Sequence, residues 1–121
     1  MPICHFSPRL ITLALLLIFP LVSSAHVHLD KSNPSMNAEL SEAPTKIDLW
    51  FSGKVDGEWS KIKVTNSNGK RFDKKNVTNG SSAKHLTVGL EPLPAGKYDV
   101  KWSAVAGDGH RIKGSLTFSV K

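Results

Sequence analysis

The sequence is poor in sulfur, and this limits its chemistry before any motif is considered. Of its 121 residues, only Cys4 is a cysteine and only Met1 and Met36 are methionines. Beyond position 36 the chain therefore offers neither a disulfide nor a cluster of thiolates or thioethers of the kind that binds soft metal ions. A domain formed by this part of the chain must be stabilised by packing and hydrogen bonds alone.

The sequence also has no apolar run of membrane-spanning length. Its most apolar run, residues 10–22, has 13 residues, whereas a membrane-spanning helix needs about 20. Arg9 precedes this run and the small residues 23–25 follow it, which is the layout of a secretory signal peptide. We expect cleavage of this leader after Ala25 and export of residues 26–121 to the periplasm, where they are not embedded in the membrane. An uncleaved anchor is the alternative, and the short run argues against it.

Acidic residues are in the minority, but the pattern of the basic ones does not indicate nucleic acid. Without Arg9, residues 26–121 carry 15 Lys and Arg against 10 Asp and Glu. The lysines are spread over the predicted strands and loops, and no aromatic residues alternate with them as in a stacking platform for bases. We therefore expect solvated lysines and no nucleic-acid partner. These 96 residues suffice for one small domain with a single core.

Helical periodicity is absent, and short alternating runs take its place. Apolar residues alternate with polar ones in five segments: residues 46–52, 61–65, 86–90, 97–104 and 115–120. A period of two is typical of half-buried strands, and the turn residues between the runs favour an antiparallel sandwich or barrel. Trp102 is in phase with the core, whereas Asp48 and His85 fall on polar sides and are expected to face solvent. The polar stretch 66–83 is predicted to be a mobile hairpin or loop.

Four histidines follow the leader, and the first has a special position. If the chain is cut after Ala25, His26 carries a free α-amine beside its imidazole. The two nitrogens can close a chelate ring on one metal ion, and an amine with a pKa near 8 loses its proton to a metal readily at neutral pH. His26 is therefore a candidate ligand. His28 projects to the same side and is a candidate either as a ligand or as a residue that orients one.

A second candidate group is Asp108-Gly109-His110. Residues two apart on an extended segment project to the same side, so the carboxylate and the imidazole converge. Alone the pattern is a weak signal, because an Asp–His hydrogen bond in a turn is common. Together with His26 it gives one amine, two imidazoles and a carboxylate, a donor set that suits one tetragonal Cu(II) ion better than Cu(I) or calcium. A Cu(I) site is not expected, since Met36 is the only methionine after the leader.

Four separated motifs resemble the CopC family of periplasmic copper-resistance proteins, including its YobA-like members. In order along residues 26–121 they are His26-Val27-His28-Leu29 with Ser32-Asn33-Pro34, then Ala43-Pro44 leading into Ile47-Asp48-Leu49-Trp50-Phe51-Ser52, then Leu93-Pro94-Ala95-Gly96-Lys97-Tyr98-Asp99-Val100-Lys101-Trp102, and finally Asp108-Gly109-His110 with Gly114 and Phe118-Ser119-Val120. The last motif is the most diagnostic.

The resemblance implies a seven-stranded Greek-key β-barrel or sandwich, Ig-like or cupredoxin-like, that binds Cu(II) at one end. Its ligands would be His26, through its amine and Nδ1, together with Asp108 and His110. The chain departs from the family pattern at two places. Gly53 replaces an acidic residue that some members use near the metal, and residues 70–83 lack the methionines of members that also bind Cu(I). The chain therefore resembles a member that binds Cu(II) alone.

These observations predict a monomeric periplasmic Cu(II) carrier or buffer that acts in copper resistance and homeostasis without catalysis. Its partners would be the copper ion and an inner-membrane copper transporter. Two alternatives remain open. A histidine brace also occurs in copper-dependent lytic polysaccharide monooxygenases, although 96 residues hardly supply their broad polysaccharide-binding face. The chain could also be a metal-free Ig-like binding module whose histidines are incidental.

Overall fold

The structure, a computed structural model, describes residues 26–121, so the predicted signal peptide lies outside the described residues. The regular elements are the strands β1 (Leu29–Asn33), β2 (Ala38–Leu40), β3 (Lys46–Phe51), β4 (Val55–Asn66), β5 (Thr78–Asn79), β6 (His85–Gly89), β7 (Gly96–Ala106) and β8 (Arg111–Val120). Within this range no helix is long and apolar enough to span a membrane. The expected all-β class is confirmed.

The strands form two four-stranded sheets that pack face to face. The first sheet has the order β1-β3-β6-β5 and the second sheet has the order β2-β8-β7-β4. The chain changes sheet after β1, β2, β3, β4 and β6, so consecutive strands often lie in different layers, as in a Greek-key sandwich. The predicted sandwich is confirmed. The structure contains eight strands where the resemblance implied seven, and one of them, β5, has only two residues.

The core lies between the two sheets and is built from the apolar positions of the alternating runs. Its buried apolar side chains on β3, β4, β6, β7 and β8 are Ile47, Leu49, Phe51, Val55, Ile62, Val64, Leu86, Val88, Tyr98, Val100, Trp102, Ala104, Ala106, Leu116, Phe118 and Val120. The hydroxyl of Tyr98 also donates a hydrogen bond to the carbonyl of Pro94, which fixes the chain before β7. The predicted period of two and the core position of Trp102 are therefore confirmed.

The β7–β8 hairpin is the longest regular pairing in the second sheet. Its register runs without a break from Gly96 opposite Val120 to Val105 opposite Arg111. On the other side of β7, the pairing with β4 has a bulge between Asp56 and Lys61. Because the hairpin is continuous, its closing turn projects from one end of the sandwich at a defined place.

Asp48 and His85 contradict the expectation that both face solvent. They lie on the outer face of the first sheet, as the alternation predicted, yet Asp48 is only 3% exposed and His85 only 6%. The backbone N–H of Ser81 donates to His85 Nδ1 at 2.8 Å, and a Cβ on Gly80 would lie 2.2 Å from that nitrogen. On its other side, His85 Nε2 lies 2.7 Å from Asp48 Oδ1. The loop before β6 thus takes the place that solvent was expected to occupy.

The stretch 66–83 is a loop with the short strand β5 near its end, but it is tied to the core. Phe72 and Asp73 within it are each 6% exposed. Asp73 Oδ1 accepts a hydrogen bond from the backbone N–H of Val64 at 3.0 Å, and Asp73 Oδ2 pairs with Arg71 Nη2 at 2.7 Å. The loop was predicted correctly, whereas these contacts argue against the expected mobility.

Candidate metal centre

Asp108 and His110 lie in the β7–β8 turn (residues 107–110), and the turn brings their side chains together. Gly109 between them has a φ of 88°, a conformation that glycine adopts without strain. Asp108 Oδ2 lies 2.8 Å from His110 Nδ1, and Asp108 Oδ1 accepts the backbone N–H of His110 at 3.0 Å. The predicted convergence of the carboxylate and the imidazole is therefore present.

The Asp108–His110 pair is open to solvent and its carboxylate is charged. The side chain of His110 is 85% exposed and that of Asp108 is 63% exposed. Hydrogen bonds from the side chain and the backbone of His110 hold the pKa of Asp108 below its usual value. Within residues 26–121, His110 Nε2 has no hydrogen-bond partner. The pair thus exposes one ring nitrogen to solvent, with the charged carboxylate against the other ring nitrogen.

The N-terminal segment (residues 26–28) is held on the sandwich by its second and third residues. Val27 is half-buried and packs against the core. The backbone N–H of His28 donates to Ser52 Oγ at 3.0 Å, and the backbone N–H of Ser52 donates to the carbonyl of His28 at 2.8 Å. His26 lies two residues before this anchor, which is about 7 Å of extended chain.

The chain between β3 and β4 (residues 52–54) contacts both candidate groups. Ser52 pairs with the N-terminal segment as described above. Two residues later, the carbonyl of Lys54 accepts the backbone N–H of Gly107 at 3.0 Å. Because one short connection contacts both, the N-terminal segment and the β7–β8 turn lie at the same end of the sandwich.

The predicted ligands are not assembled into one group. In the part of the chain that the structure describes, no three His, Cys, Asp or Glu side chains are placed together so that they could hold a metal ion. Asp108 and His110 are brought together as a pair, and within residues 26–121 no third such side chain completes a group with them. His28 Nε2 lies 2.9 Å from Asp30 Oδ1, and its Nδ1 lies 3.3 Å from the carbonyl of His26. Both ring nitrogens of His28 are thus engaged within its own segment.

Gly53 has a structural role that the sequence did not reveal. A Cβ at this position would lie 2.8 Å from Val27 Cγ2, so a larger residue would require Val27 to shift. The position that is acidic in some family members is therefore occupied here by a glycine that lets Val27 of the N-terminal segment pack closely against the backbone. The anchors at Ser52 and Lys54 were also missed, because backbone contacts between distant parts of a chain leave no pattern in its sequence.

Comparisons with known proteins agree on one family. The model of the CopC domain matches residues 29–121. The chain is 42% identical over 101 residues to Protein YobA of Escherichia coli K12, covering 80% of each chain. It is 37% identical over 113 residues to the copper transport protein CutJ of Bacillus subtilis, covering 92% of this chain but only 21% of CutJ, so it spans about a fifth of that relative.

A solved structure with the same fold is that of PcoC from Escherichia coli, described as a methionine-rich copper resistance protein. The similarity has a TM-score of 0.71 at 36% identity and covers 80% of this chain and 100% of PcoC.

Proposed function

The chain belongs to the CopC family, and from this premise we propose that it is a periplasmic copper-binding protein that acts in copper resistance as a carrier or buffer of Cu(II). The names of its relatives describe copper transport and copper resistance. Copper is the cargo in this proposal, and no catalytic step is part of it. After removal of the leader, the domain of residues 26–121 would be a monomer that passes copper to an inner-membrane transporter.

The observation that carries the Cu(II) proposal is the exposed Asp108–His110 pair. The 2.8 Å contact between Asp108 Oδ2 and His110 Nδ1 fixes the orientation of the imidazole before a metal binds to its other nitrogen. A carboxylate oxygen and an imidazole nitrogen are both suitable donors for Cu(II). His110 Nδ1 faces Asp108, so we assign His110 Nε2 as the metal ligand. In this arrangement Asp108 orients the ring from its other side, and it would donate an oxygen to the same ion only after the Asp108–His110 hydrogen bond opens.

His26 completes the set in this proposal once export has removed the residues before it. Its α-amine and its Nδ1 would chelate the ion, which gives three nitrogens around one Cu(II) with the carboxylate of Asp108 nearby. The N-terminal segment lies at the correct end of the sandwich but would need to move or turn to bring His26 onto the pair. We assign His28 to a supporting role, because Asp30 engages its Nε2 at 2.9 Å.

The domain would hold the oxidised ion only. A Cu(I) site needs several soft ligands, and Met36, which is 62% exposed, is the only thioether in residues 26–121. In this respect the chain differs from PcoC, which is described as methionine-rich.

Isothermal titration with Cu(II) tests the chelate directly. The exported protein that begins at His26 should bind one equivalent. Replacing His26→Ala, or adding one glycine ahead of His26, should each lower the affinity at least about a hundredfold, because each removes the chelate ring. Lys84→Ala, on an exposed side chain of the loop before β6, is the matched control and should bind like the parent. Unchanged binding by both altered N-termini contradicts the chelate, and the absence of any copper EPR signal in the parent contradicts copper binding itself.

A further inference from the structure

The outer face of the second sheet carries a cluster of basic side chains near the end that holds the candidate metal centre. The cluster, called the cationic face below, consists of Lys61, Lys63, Lys101, Arg111 and Lys113, all of them exposed. The strand register places them in three adjacent rows. One row is Lys61, Ser103 and Lys113, the next is Lys63, Lys101 and Ser115, and Val105 with Arg111 forms the third.

The positive charges on this face are not neutralised by the protein. Within residues 26–121, none of the five side chains forms an ion pair. Asp56 lies opposite Val105 and so shares the row of Arg111, and Asp99 lies opposite Thr65 in the row beyond Lys63 and Lys101, but neither carboxylate forms an ion pair within residues 26–121. The cationic face is therefore an area of uncompensated charge in a protein that has acidic residues elsewhere.

One pair on this face is unfavourable for the fold itself. Lys63 and Lys101 are directly opposite each other on antiparallel strands, and like charges in such positions destabilise a sheet. Solubility alone needs no such arrangement, because the same lysines could be interspersed with acids. A local arrangement that lowers stability without a visible compensating contact marks a surface with a function.

The cationic face has a depression that can take up a negatively charged group. Its volume is about 480 Å³, and it is lined by Lys61, Lys63, Lys101 and Lys113. Ser103 and Ser115 also line it, and the strand register places them in the same rows as the lysines. Hydroxyl and ammonium donors around a shallow opening suit the oxygens of a phosphate group.

A tryptophan lies beside the charges. Trp59 is 63% exposed and belongs to the bulged part of β4, two residues before Lys61. β4 is the edge strand of the second sheet, so nothing in the sheet covers it from that side. Exposed tryptophan next to lysine and arginine is typical of surfaces that bind at the headgroup level of a membrane, where the indole ring is partly apolar and partly hydrated.

We propose that the cationic face, with Trp59 at its edge, docks the protein on a bilayer surface that contains anionic phospholipids. The lysines supply long-range attraction without fixed geometry, the depression accepts a phosphate of a headgroup, and Trp59 inserts at the interface. An acidic protein surface fits these features less well, because it would leave the exposed indole without a role. Arg111 directly follows His110, so docking would hold the metal-binding end close to the membrane plane. The proposal does not depend on copper.

Vesicle co-sedimentation of the exported protein tests the proposal. The protein should bind vesicles of phosphatidylcholine with phosphatidylglycerol and should not bind vesicles of pure phosphatidylcholine. Binding should be lost in about 1 M salt, where the screening length falls to about 3 Å. Replacing Lys63→Gln, Lys101→Gln and Lys113→Gln together should weaken binding about a hundredfold, since each lysine near an anionic surface contributes about a factor of five.

The matched control removes the same charge elsewhere. Lys74→Gln, Lys84→Gln and Lys121→Gln together alter exposed lysines outside the cationic face and should keep most of the binding, and circular dichroism should show that both triple variants are folded. A blue shift of the tryptophan emission on anionic vesicles should disappear in Trp59→Ser. Equal weakening in both triple variants, or no binding to anionic vesicles, overturns the proposal. So does binding to polyglutamate but not to vesicles, which would instead assign the face to an acidic protein.

Discussion

At the scale of single residues, Asp48 and His85 take part in a chain of contacts that crosses the outer face of the first sheet. The indole of Trp50 stacks on the His85 ring with their centroids 4.7 Å apart, and Lys31 Nζ lies 4.4 Å from the indole centroid on the neighbouring strand. Because Ser81 N–H donates to Nδ1 of His85, the ring hydrogen must be on Nε2, from which it is donated to Asp48. Every polar atom of the imidazole is therefore satisfied in a buried place.

Removing the imidazole of His85 should lower the free energy of unfolding far more than removing the charge of Asp48. His85→Ala leaves the buried carboxylate of Asp48 with Lys46 Nζ, at 3.7 Å, in place of the 2.7 Å hydrogen bond, and we expect the free energy of unfolding to fall by about 3–5 kcal/mol. Asp48→Asn keeps an oxygen that accepts from Nε2 and should lower it by only about 1 kcal/mol. Urea unfolding followed by tryptophan fluorescence measures both. Equal losses in the two variants would show that the hydrogen bond is not what the pair contributes.

The same two residues show what alternation can and cannot predict. The period of two correctly placed His85 on the face opposite Leu86, which is fully buried in the core. It could not reveal that Gly80 and Ser81 fold over that face, since a covering loop is set by tertiary contacts. For the candidate ligands, the spacing of Asp108 and His110 predicted their convergence because the contact is local.

At the scale of elements, Trp102 of β7 packs over the backbone of β8 at Gly114. These residues are opposite each other in the hairpin, and a Cβ on Gly114 would lie 2.2 Å from Cζ2 of the indole. The other side of the indole is fixed as well, because the ring packs edge to face against Phe51 with centroids 5.2 Å apart. Glycine at position 114 is thus required by the packing of the indole.

Gly114→Ala should therefore displace Trp102. We expect the free energy of unfolding to fall by about 1–3 kcal/mol, as for other overpacked cores, together with a changed near-ultraviolet circular dichroism of the indole. Thermal or urea unfolding measures the loss. Ser115→Ala, next to it on the exposed side of β8, is the matched control and should change stability by less than about 0.5 kcal/mol. A variant with alanine at 114 that is as stable as the parent would mean that the indole has room to move.

Long strands with one buried face could be predicted, whereas short or irregular elements could not. Apolar and polar residue types alternate along most of β3, β6, β7 and β8 because one side of each strand faces the core. β2 has three residues and β5 has two, which is too few for any period to be visible. The bulge between Asp56 and Lys61, which carries Trp59, also has no sequence signature.

At the scale of the whole molecule, the order of the strands in the two sheets could not be predicted from the alternation of apolar and polar residues. Alternation states that a strand is half-buried, but it does not say which strand lies beside it. The parallel pairing of β2 with β8, between Ala38 and Phe118 at its start, joins the two ends of the domain. The same holds for the connection at residues 52–54, which links two candidate groups far apart in sequence. Only the fold places them at one end.

At the scale of the whole sandwich, the free energy of unfolding should have a plateau when it is plotted against pH. Asp73 contributes to its acidic limit and Tyr98 to its alkaline limit, and both residues are buried away from the candidate centre. Burial raises the pKa of Asp73, but the hydrogen bond and the charge of Arg71 and the backbone N–H of Val64 outweigh it, so that its pKa is below the ordinary 3.8. Burial raises the pKa of Tyr98 above the ordinary 10.0. Asp73 belongs to the tied loop and Tyr98 to the core of the second sheet.

The lowered pKa of Asp73 makes the free energy of unfolding fall as the pH decreases, and the raised pKa of Tyr98 makes it fall as the pH increases. Below the ordinary pKa of 3.8, the unfolded chain binds a proton that folded Asp73 resists, so the stability that Asp73 contributes is present above that pH and is lost as the pH falls through its folded pKa. Above the ordinary pKa of 10.0, the unfolded chain releases the proton that folded Tyr98 keeps, so its contribution is lost as the pH rises through the raised pKa.

Unfolding measured by urea titration across this range should therefore show a plateau with an acidic and an alkaline decline. Asp73→Asn should lower the plateau by about 1.5–3 kcal/mol, because charge-assisted hydrogen bonds to Arg71 are lost, and it should make the acidic decline shallower. Tyr98→Phe should make the alkaline decline shallower and leave the acidic one unchanged. If each variant instead shifts the whole curve down without changing its shape at either end, the two groups contribute packing and hydrogen bonds but are not the titrating groups that bound the stability of the sandwich.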